Sequence, residues 1–181
     1  MRIVAKDTLG LVVDFQERLM PVINKKEEVI ETSVKLMKGL QILEVPVVVT
    51  QQYTKGLGMT VPAIQEVLDS PFIYQEKISF SCVGESNIVD VMKEYNKSNV
   101  IVCGVEAHIC VLQTVIDLID LGYQVIVVED CISSRKVNDK VVAIERMKKE
   151  GAIITTYESI LFELTEKAGS EKFREISSLV K

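Results

Sequence analysis

Cys110 is the residue whose position in this sequence most favours nucleophilic chemistry. An apolar run at residues 100–103 ends at Gly104, and a helix-like pattern then opens with Cys110 in its first turn. Exposed backbone N–H groups and the positive end of the helix dipole both stabilise a thiolate at such a place. We therefore expect an activated thiol just beyond the end of a strand.

Asp14 and Lys77 are the candidate partners for that thiol. Asp14 closes an apolar run at residues 9–13, and Lys77 follows a weaker run at residues 72–75. Taken singly, such an aspartate is usually a turn residue and such a lysine a solvated charge. In a parallel sheet, however, the ligand crevice lies beyond the carboxyl ends of the strands. We expect these two side chains and Cys110 to lie at that edge.

His108 is the only histidine of the chain and lies two positions before Cys110. Residues two apart on a helix point to roughly opposite sides, so a Cys110–His108 dyad is geometrically poor. The general base must then come from elsewhere, and Asp14 is the available candidate. The remaining cysteines form no C-x-x-C pair and are interpreted as reduced core residues: Cys82, Cys103 and Cys131.

Size and charge narrow the class of protein and of partner. The chain has 181 residues, 48% of them apolar, which fits one domain over residues 1–181. A net charge of −5 with scattered lysines gives no general attraction to nucleic acid or anionic lipid. No stretch approaches the roughly 20 apolar residues of a membrane span, and residues 1–6 lack the apolar segment of a signal peptide. We expect a cytoplasmic protein without nucleic-acid or membrane partners.

Buried apolar runs alternate with amphipathic helices along the whole chain. Strands are predicted at residues 9–13, 47–50, 72–75, 100–103, 124–128 and 152–155, and helices at residues 25–43 (with Asn24 as N-cap), 63–68, 84–95, 138–149, 159–165 and 170–179, besides the Cys110 helix. Such uniformly apolar strands are typical of a parallel sheet covered by helices on both faces. The fold class is therefore α/β, with three α-β-α layers. Residues 51–62 are predicted to form a loop that walls a pocket.

Three segments resemble the signature segments of the isochorismatase-like cysteine hydrolases, in the same order and spacing. They are Val-Val-Asp-Phe-Gln at residues 12–16, Glu-Lys-Ile-Ser-Phe-Ser at residues 76–81, and Gly-Val-Glu-Ala-His-Ile-Cys-Val-Leu-Gln-Thr at residues 104–114. The similarity extends from about residue 9 to residue 160. Residues 52–62 and 133–135 are most similar to the branch called isochorismatase domain-containing proteins. Three matches in register make the resemblance specific.

The resemblance implies an Asp14-Lys77-Cys110 triad on a Rossmann-like, six-stranded parallel sheet of order 3-2-1-4-5-6. Asp14 would accept the thiol proton, and Lys77 would lower the thiol pKa and keep Asp14 ionised. Cys110 would attack a carbonyl carbon and form a thioester. The resemblance also implies a non-proline cis peptide between Val105 and Glu106, with an oxyanion hole made by the N–H groups of Glu106 and Cys110.

The implied activity is hydrolysis of a C–N bond, of amide or ureido type, in a small-molecule substrate. Nicotinamidases of this superfamily carry an Asp and His residues as metal ligands just after strand 2, whereas residues 51–54 here are Gln-Gln-Tyr-Thr. We therefore expect neither a metal nor another cofactor. The substrate pocket is expected to include six side chains: Phe15, Gln52, Tyr53, Leu57, Phe80 and His108.

The resemblance implies a homo-oligomer, a dimer or larger. A catalytically silent binding or scaffold protein that retains the isochorismatase-like fold stays open as the alternative function. In that protein, the space above Cys110 would be filled by Tyr53, Leu57 or Met59.

Overall fold

A six-stranded parallel sheet forms the centre of the structure, a computed structural model that describes residues 2–68 and 71–181. Its strands are β1 (Thr8–Val13), β2 (Val47–Gln52), β3 (Gln75–Lys77), β4 (Asn99–Val105), β5 (Gln124–Ser133) and β6 (Ile153–Thr155). The strand order is β3-β2-β1-β4-β5-β6 and every pair is parallel. This confirms the predicted α/β fold class and the order 3-2-1-4-5-6.

Helices cover both faces of this sheet. They are α1 (Lys26–Ile42), α2 (Thr54–Leu57), α3 (Pro62–Gln65), α4 (Ser86–Glu94), α5 (Leu112–Asp120), α6 (Val137–Glu150), α7 (Tyr157–Thr165) and α8 (Glu171–Val180). Buried residues of α1, α7 and α8 share one apolar cluster, and those of α4, α5 and α6 share the other. The predicted three layers, α-β-α, are therefore present.

The apolar runs follow from this two-sided burial. In β1, Leu11 and Val13 belong to the cluster under α4, α5 and α6, whereas Val12 between them belongs to the opposite cluster. Successive residues of a strand point to opposite faces, so a strand covered on both sides must be apolar at every position. The same rule leaves the strand ends as the place where polar side chains can lie.

Several predicted boundaries differ from the structure, and three of these differences lie near the site or at the first long helix. β3 spans Gln75–Lys77 rather than residues 72–75, because the hydrogen bonds available from the end of β2 are at that position. The predicted loop at residues 51–62 instead begins with the end of β2 and contains α2 and the start of α3. Helix α1 begins after Lys25, which is its N-cap in a left-handed conformation, so Asn24 does not cap it.

Gly104 allows β4 to pass close to the end of β1. It has a φ of +131°, and a Cβ added there would lie 2.1 Å from the carbonyl oxygen of Val13. We expect Gly104→Ala to lower the free energy of unfolding, measured in urea, by roughly 3 kcal/mol, through backbone strain and overpacking together. Gly122→Ala is the matched control, since it has a φ of +89° and no atom within 4 Å of the new Cβ. Equal losses in the two variants would contradict the close-approach explanation.

Candidate active site

Three neighbouring parts of the sheet edge each supply one of the predicted catalytic side chains. Asp14 directly follows β1, Lys77 is the last residue of β3, and Cys110 lies in the turn after β4. All three are buried, with exposed fractions of 0%, 1% and 7%. The structure thus brings residues from distant parts of the sequence to one buried place at the carboxyl edge.

Asp14 and Lys77 form a buried ion pair. Lys77 Nζ lies 2.7 Å from Asp14 Oδ2, while the Thr50 hydroxyl donates to Asp14 Oδ1 at 2.8 Å. Among the described residues no hydrogen bond of ordinary geometry reaches Oδ2, so its contact with Lys77 is chiefly Coulombic. Asp14 has a φ of +55°, which aspartate tolerates better than most residues. One carboxylate oxygen is therefore fixed by Thr50 and the other keeps the capacity to accept a proton.

The Lys77 ammonium is surrounded by acceptors. In addition to its ion pair with Asp14, it donates hydrogen bonds to Gln52 Oε1 at 2.6 Å and to the backbone carbonyls of Phe80 at 3.0 Å and Ser79 at 3.3 Å. Burial alone would lower the pKa of Lys77, but the negative charge of Asp14 and the neighbouring thiols outweigh burial and raise it. Lys77 is therefore a permanent cation at neutral pH.

Cys110 lies in a π-helical turn, Ala107–Val111, that leads from β4 into α5. Burial, followed by the negative charge of Asp14, raises the pKa of Cys110 to about 12, although Lys77 acts in the opposite direction. The expected partly ionised thiol is therefore wrong for the resting protein. Desolvation and a nearby carboxylate outweigh the effect of a helix start on the thiol.

The turn that contains Cys110 is held in place by backbone hydrogen bonds and by the Glu106 side chain. The peptide bond between Val105 and Glu106 is cis. The Glu106 carbonyl accepts from the N–H groups of Ile109 at 3.0 Å and Val111 at 3.3 Å. The Glu106 carboxylate accepts from the backbone N–H of Arg135 at 3.2 Å and from its Nε at 3.0 Å. These bonds connect the turn to the segment after β5.

His108 does not face Cys110 as a partner. Its Nδ1 lies 2.9 Å from the Ser134 hydroxyl oxygen, and its Nε2 lies 3.8 Å from Asp139 Oδ2. Both ring nitrogens are therefore turned toward the segment after β5 and helix α6. This arrangement agrees with the expectation that His108 is not the general base.

The other predicted pocket residues divide into two groups. Tyr53 and Phe80 are 49% and 54% exposed, and Leu57 is partly exposed. Phe15 is wrong as a pocket residue, because its side chain is fully buried in the cluster under α1. Gln52 has a different role from the one predicted, because both ends of its side-chain amide are bonded to the Lys77 segment.

Thr50 and Cys82 belong to the site, although neither was predicted from the sequence as a site residue. Cys82 Sγ lies 3.9 Å from the Thr50 hydroxyl, and the Cys82 N–H donates to the Thr114 hydroxyl at 2.9 Å. Burial raises the pKa of Cys82 to about 11, so it too is a neutral thiol. Thr50 carried a signal in the sequence, since it is the polar end of an otherwise apolar run. Cys82 carried none.

Features outside the site add little to it. A cleft of about 590 Å³ lies along Val47–Val49 of β2 and beside Gln75 and Tyr95, and it includes none of the three candidate catalytic residues. Within residues 2–68 and 71–181, no group of three or more His, Cys, Asp or Glu side chains could hold a metal ion. In the same part of the chain, no helix is both long enough and apolar enough to cross a membrane.

The chain has a parallel sheet of order 3-2-1-4-5-6 with a cysteine-bearing turn after a central strand. The family model described as the isochorismatase domain matches residues 8–159. The chain therefore belongs to the isochorismatase family, which confirms the resemblance carried by the three signature segments.

Relatives and solved structures agree with this membership. Isochorismatase domain-containing protein 1 of Danio rerio is 38% identical over 168 residues, covering 93% of this chain, and the chain spans 59% of that relative's length. Isochorismatase domain-containing protein 2 of Danio rerio is 34% identical, with coverage of 99% of this chain and 89% of the relative. The structure of the MAR1 ribonuclease from Caenorhabditis elegans is 38% identical, with a TM-score of 0.93 and coverage of 99% and 92%.

Proposed function

We propose that this protein is a small-molecule amidohydrolase that cleaves a C–N bond through a thioester on Cys110. The observation that supports this most is the buried ion pair of Asp14 with Lys77, at 2.7 Å, in a site where the negative charge of Asp14 also acts on the Cys110 thiol. A nucleophile, a proton acceptor and a fixed cation then share one site. No cofactor is required for this chemistry.

In the first half-reaction, Asp14 takes the thiol proton while the sulfur attacks the substrate carbonyl carbon. Because burial and the charge of Asp14 raise the pKa of the Cys110 thiol to about 12, we expect proton transfer to accompany attack. The carbonyl electrons move to oxygen, and we assign the N–H groups of Glu106 and Cys110 to bind this oxyanion. When the C–N bond breaks, Asp14 returns the proton to the leaving nitrogen.

In the second half-reaction, water attacks the thioester carbonyl and gives its proton to Asp14. The C–S bond then breaks, the proton returns to the Cys110 sulfur, and the acid product leaves. Lys77 stays positively charged throughout, because its pKa is raised. It offsets the negative charge of the Asp14 carboxylate, which passes to the oxyanion in each half-reaction and then returns to Asp14.

A catalytically silent binding or scaffold protein is the second candidate, and one observation favours it. The Cys110 residue is only 7% exposed, and the 590 Å³ cleft lies away from it. A silent protein needs no access to the thiol, whereas the amidohydrolase requires that substrate reach the sulfur. Turnover by the wild-type protein therefore separates the two functions.

RNA cleavage is the activity in the name of the Caenorhabditis elegans relative. The net charge of −5 argues against RNA here, because binding of a phosphate backbone depends on clustered positive charge. A small-molecule substrate fits the acidic chain better. RNA nevertheless belongs in the substrate panel as a contrasting arm.

Cys110→Ala is expected to abolish release of ammonia or amine from the wild-type substrates within a panel of amides, ureido acids and carbamoyl compounds. Removing the nucleophile should lower turnover by roughly 10³-fold or more. The matched control is Cys103→Ala, which removes a thiol buried in the core of the sheet. Full activity in Cys110→Ala would overturn the proposal. If the wild-type protein cleaves RNA but none of the small-molecule substrates, and Cys110→Ala loses this cleavage, then Cys110 acts in phosphodiester cleavage and the amidohydrolase proposal is wrong.

We further propose that residues 1–181 form one catalytic domain that assembles as a homo-oligomer. Apolar surface for a second copy is available on α6, where Val137, Val141 and Val142 are 60%, 48% and 56% exposed. A cytoplasmic location stays a prediction.

A further inference from the structure

Gln52, the last residue of β2, holds Lys77 through its side-chain amide. Its Oε1 accepts from Lys77 Nζ at 2.6 Å, and its Nε2 donates to the Ile78 carbonyl at 2.6 Å. Both ends of the amide are thus used by the segment that carries Lys77, and the residue is 9% exposed. The Gln52 side chain therefore binds the segment that carries Lys77 rather than an approaching substrate.

Gln16 in turn fixes the backbone of Gln52. The Gln52 N–H donates to Gln16 Oε1 at 2.7 Å, and Gln16 Nε2 donates to the Gln52 carbonyl at 3.0 Å. Gln16 Nε2 also donates to the Gly58 carbonyl at 2.7 Å. The paired bonds on Gln52 imitate those of an adjacent strand at a point where β1 has already ended. A fully buried side chain therefore clamps the residue that holds Lys77.

The acceptors of Lys77 differ in charge. Asp14 is its one ionised contact within 4 Å among the described side chains, whereas Gln52, Ser79 and Phe80 offer neutral oxygens. An ammonium has three protons to direct, and neutral acceptors can direct them without cancelling the charge. The positive charge then remains available to Asp14 and to sulfur.

We propose that Gln52, clamped by Gln16, is a positioning residue for Lys77: its neutral amide orients the ammonium toward Asp14 and Cys110 while leaving the full positive charge in place. The part of this inference that concerns turnover rests on the proposed function. The part that concerns the reactivity of Cys110 does not.

Gln52→Glu tests the electrostatic part without a substrate. The titratable groups around the Cys110 thiol are Asp14, Lys77 and Cys82, and the variant adds one more negative charge beside Lys77. Because that charge disfavours the thiolate, alkylation of Cys110 by iodoacetamide at pH 8.5 should slow about tenfold. The rate is measured by mass spectrometry of the Cys110 peptide.

Gln51→Glu is the matched control, since the same substitution falls one residue earlier on the opposite face of the sheet. Gln51 is fully buried, but it bonds to Thr60 at 2.8 and 2.9 Å and to Thr54 at 3.0 Å. A wild-type alkylation rate in Gln52→Glu, or an equal slowing in both variants, would overturn the inference. Circular dichroism and urea unfolding establish that each variant is folded.

Gln52→Met tests the positioning part during turnover and adds no buried charge. It removes the acceptor for Lys77, so kcat should fall about tenfold while KM stays within twofold. A substrate contact at Gln52 would instead raise KM with little change in kcat, which would overturn the positioning role. If no substrate is turned over, the amidohydrolase proposal fails, while the alkylation result still decides whether Gln52 tunes Cys110 through Lys77.

Discussion

Turnover and thiol reactivity are expected to change in opposite directions when Asp14 is replaced by Asn. The carboxylate of Asp14 raises the pKa of Cys110, so its loss should lower that pKa and leave Lys77 to stabilise the thiolate. Alkylation of Cys110 at pH 8 should then rise about tenfold. Hydrolysis should fall by roughly 10² to 10⁴-fold, because the proton acceptor is lost.

Asn is the conservative replacement at this position for two reasons. It tolerates the left-handed backbone of Asp14, whose φ is +55°, and its carbonyl can still accept from the Thr50 hydroxyl. The alkylation assay is repeated in the Asp14→Asn, Cys110→Ala double variant, which must lose the label if Cys110 is the reacting thiol. Slower alkylation in Asp14→Asn, or full hydrolysis, would contradict the role assigned to the carboxylate.

The strands were predictable because burial on both faces leaves a continuous apolar run. β1 and β4 show this directly, and the polar residue that ends such a run is found at the sheet edge, as Asp14 is. β5 shows the limit of the rule. It continues to Ser133, five residues past the prediction, through an irregular stretch that contains the charged Glu129 and Asp130. Charged side chains interrupt the continuous apolar run, which is the pattern by which a buried strand is predicted from the sequence.

The ionisation and hydrogen bonding of the site residues were harder to predict than their identity. Whether Cys110 is ionised depends on its burial and its distance from Asp14, which come from elements about 100 residues apart in the sequence. The hydrogen bonds from Gln16 to Gln52 and from Gln52 to Lys77 join three different segments. No local sequence pattern around either glutamine predicts them. Phe15 was misplaced for the same reason, since adjacency to Asp14 does not reveal the face on which a side chain lies.

Lys77→Met is expected to cause a large loss of stability. The variant leaves the Asp14 carboxylate fully buried without its counter-ion, and breaking a buried ion pair in this way lowers the free energy of unfolding by about 3–5 kcal/mol. Urea unfolding at pH 7 measures the difference. The exposed pair Lys172–Glu44, with an N···O distance of 2.6 Å, is the matched control, and Lys172→Met should leave the urea midpoint nearly unchanged.

The cause of that loss can be separated from the loss of lysine packing. In the Lys77→Met, Asp14→Asn double variant no buried charge is left unpaired, so most of the stability should return. The pH dependence gives a second criterion. Because the pKa of Lys77 is raised above its ordinary value of 10.5, the contribution of the pair is complete below pH 10.5 and disappears as the pH rises through the raised pKa. The difference in free energy of unfolding between wild type and Lys77→Met should therefore persist at pH 7 to 9 and narrow only at more alkaline pH. A double variant that is no more stable than Lys77→Met would show that the loss comes from packing of the lysine and not from its charge.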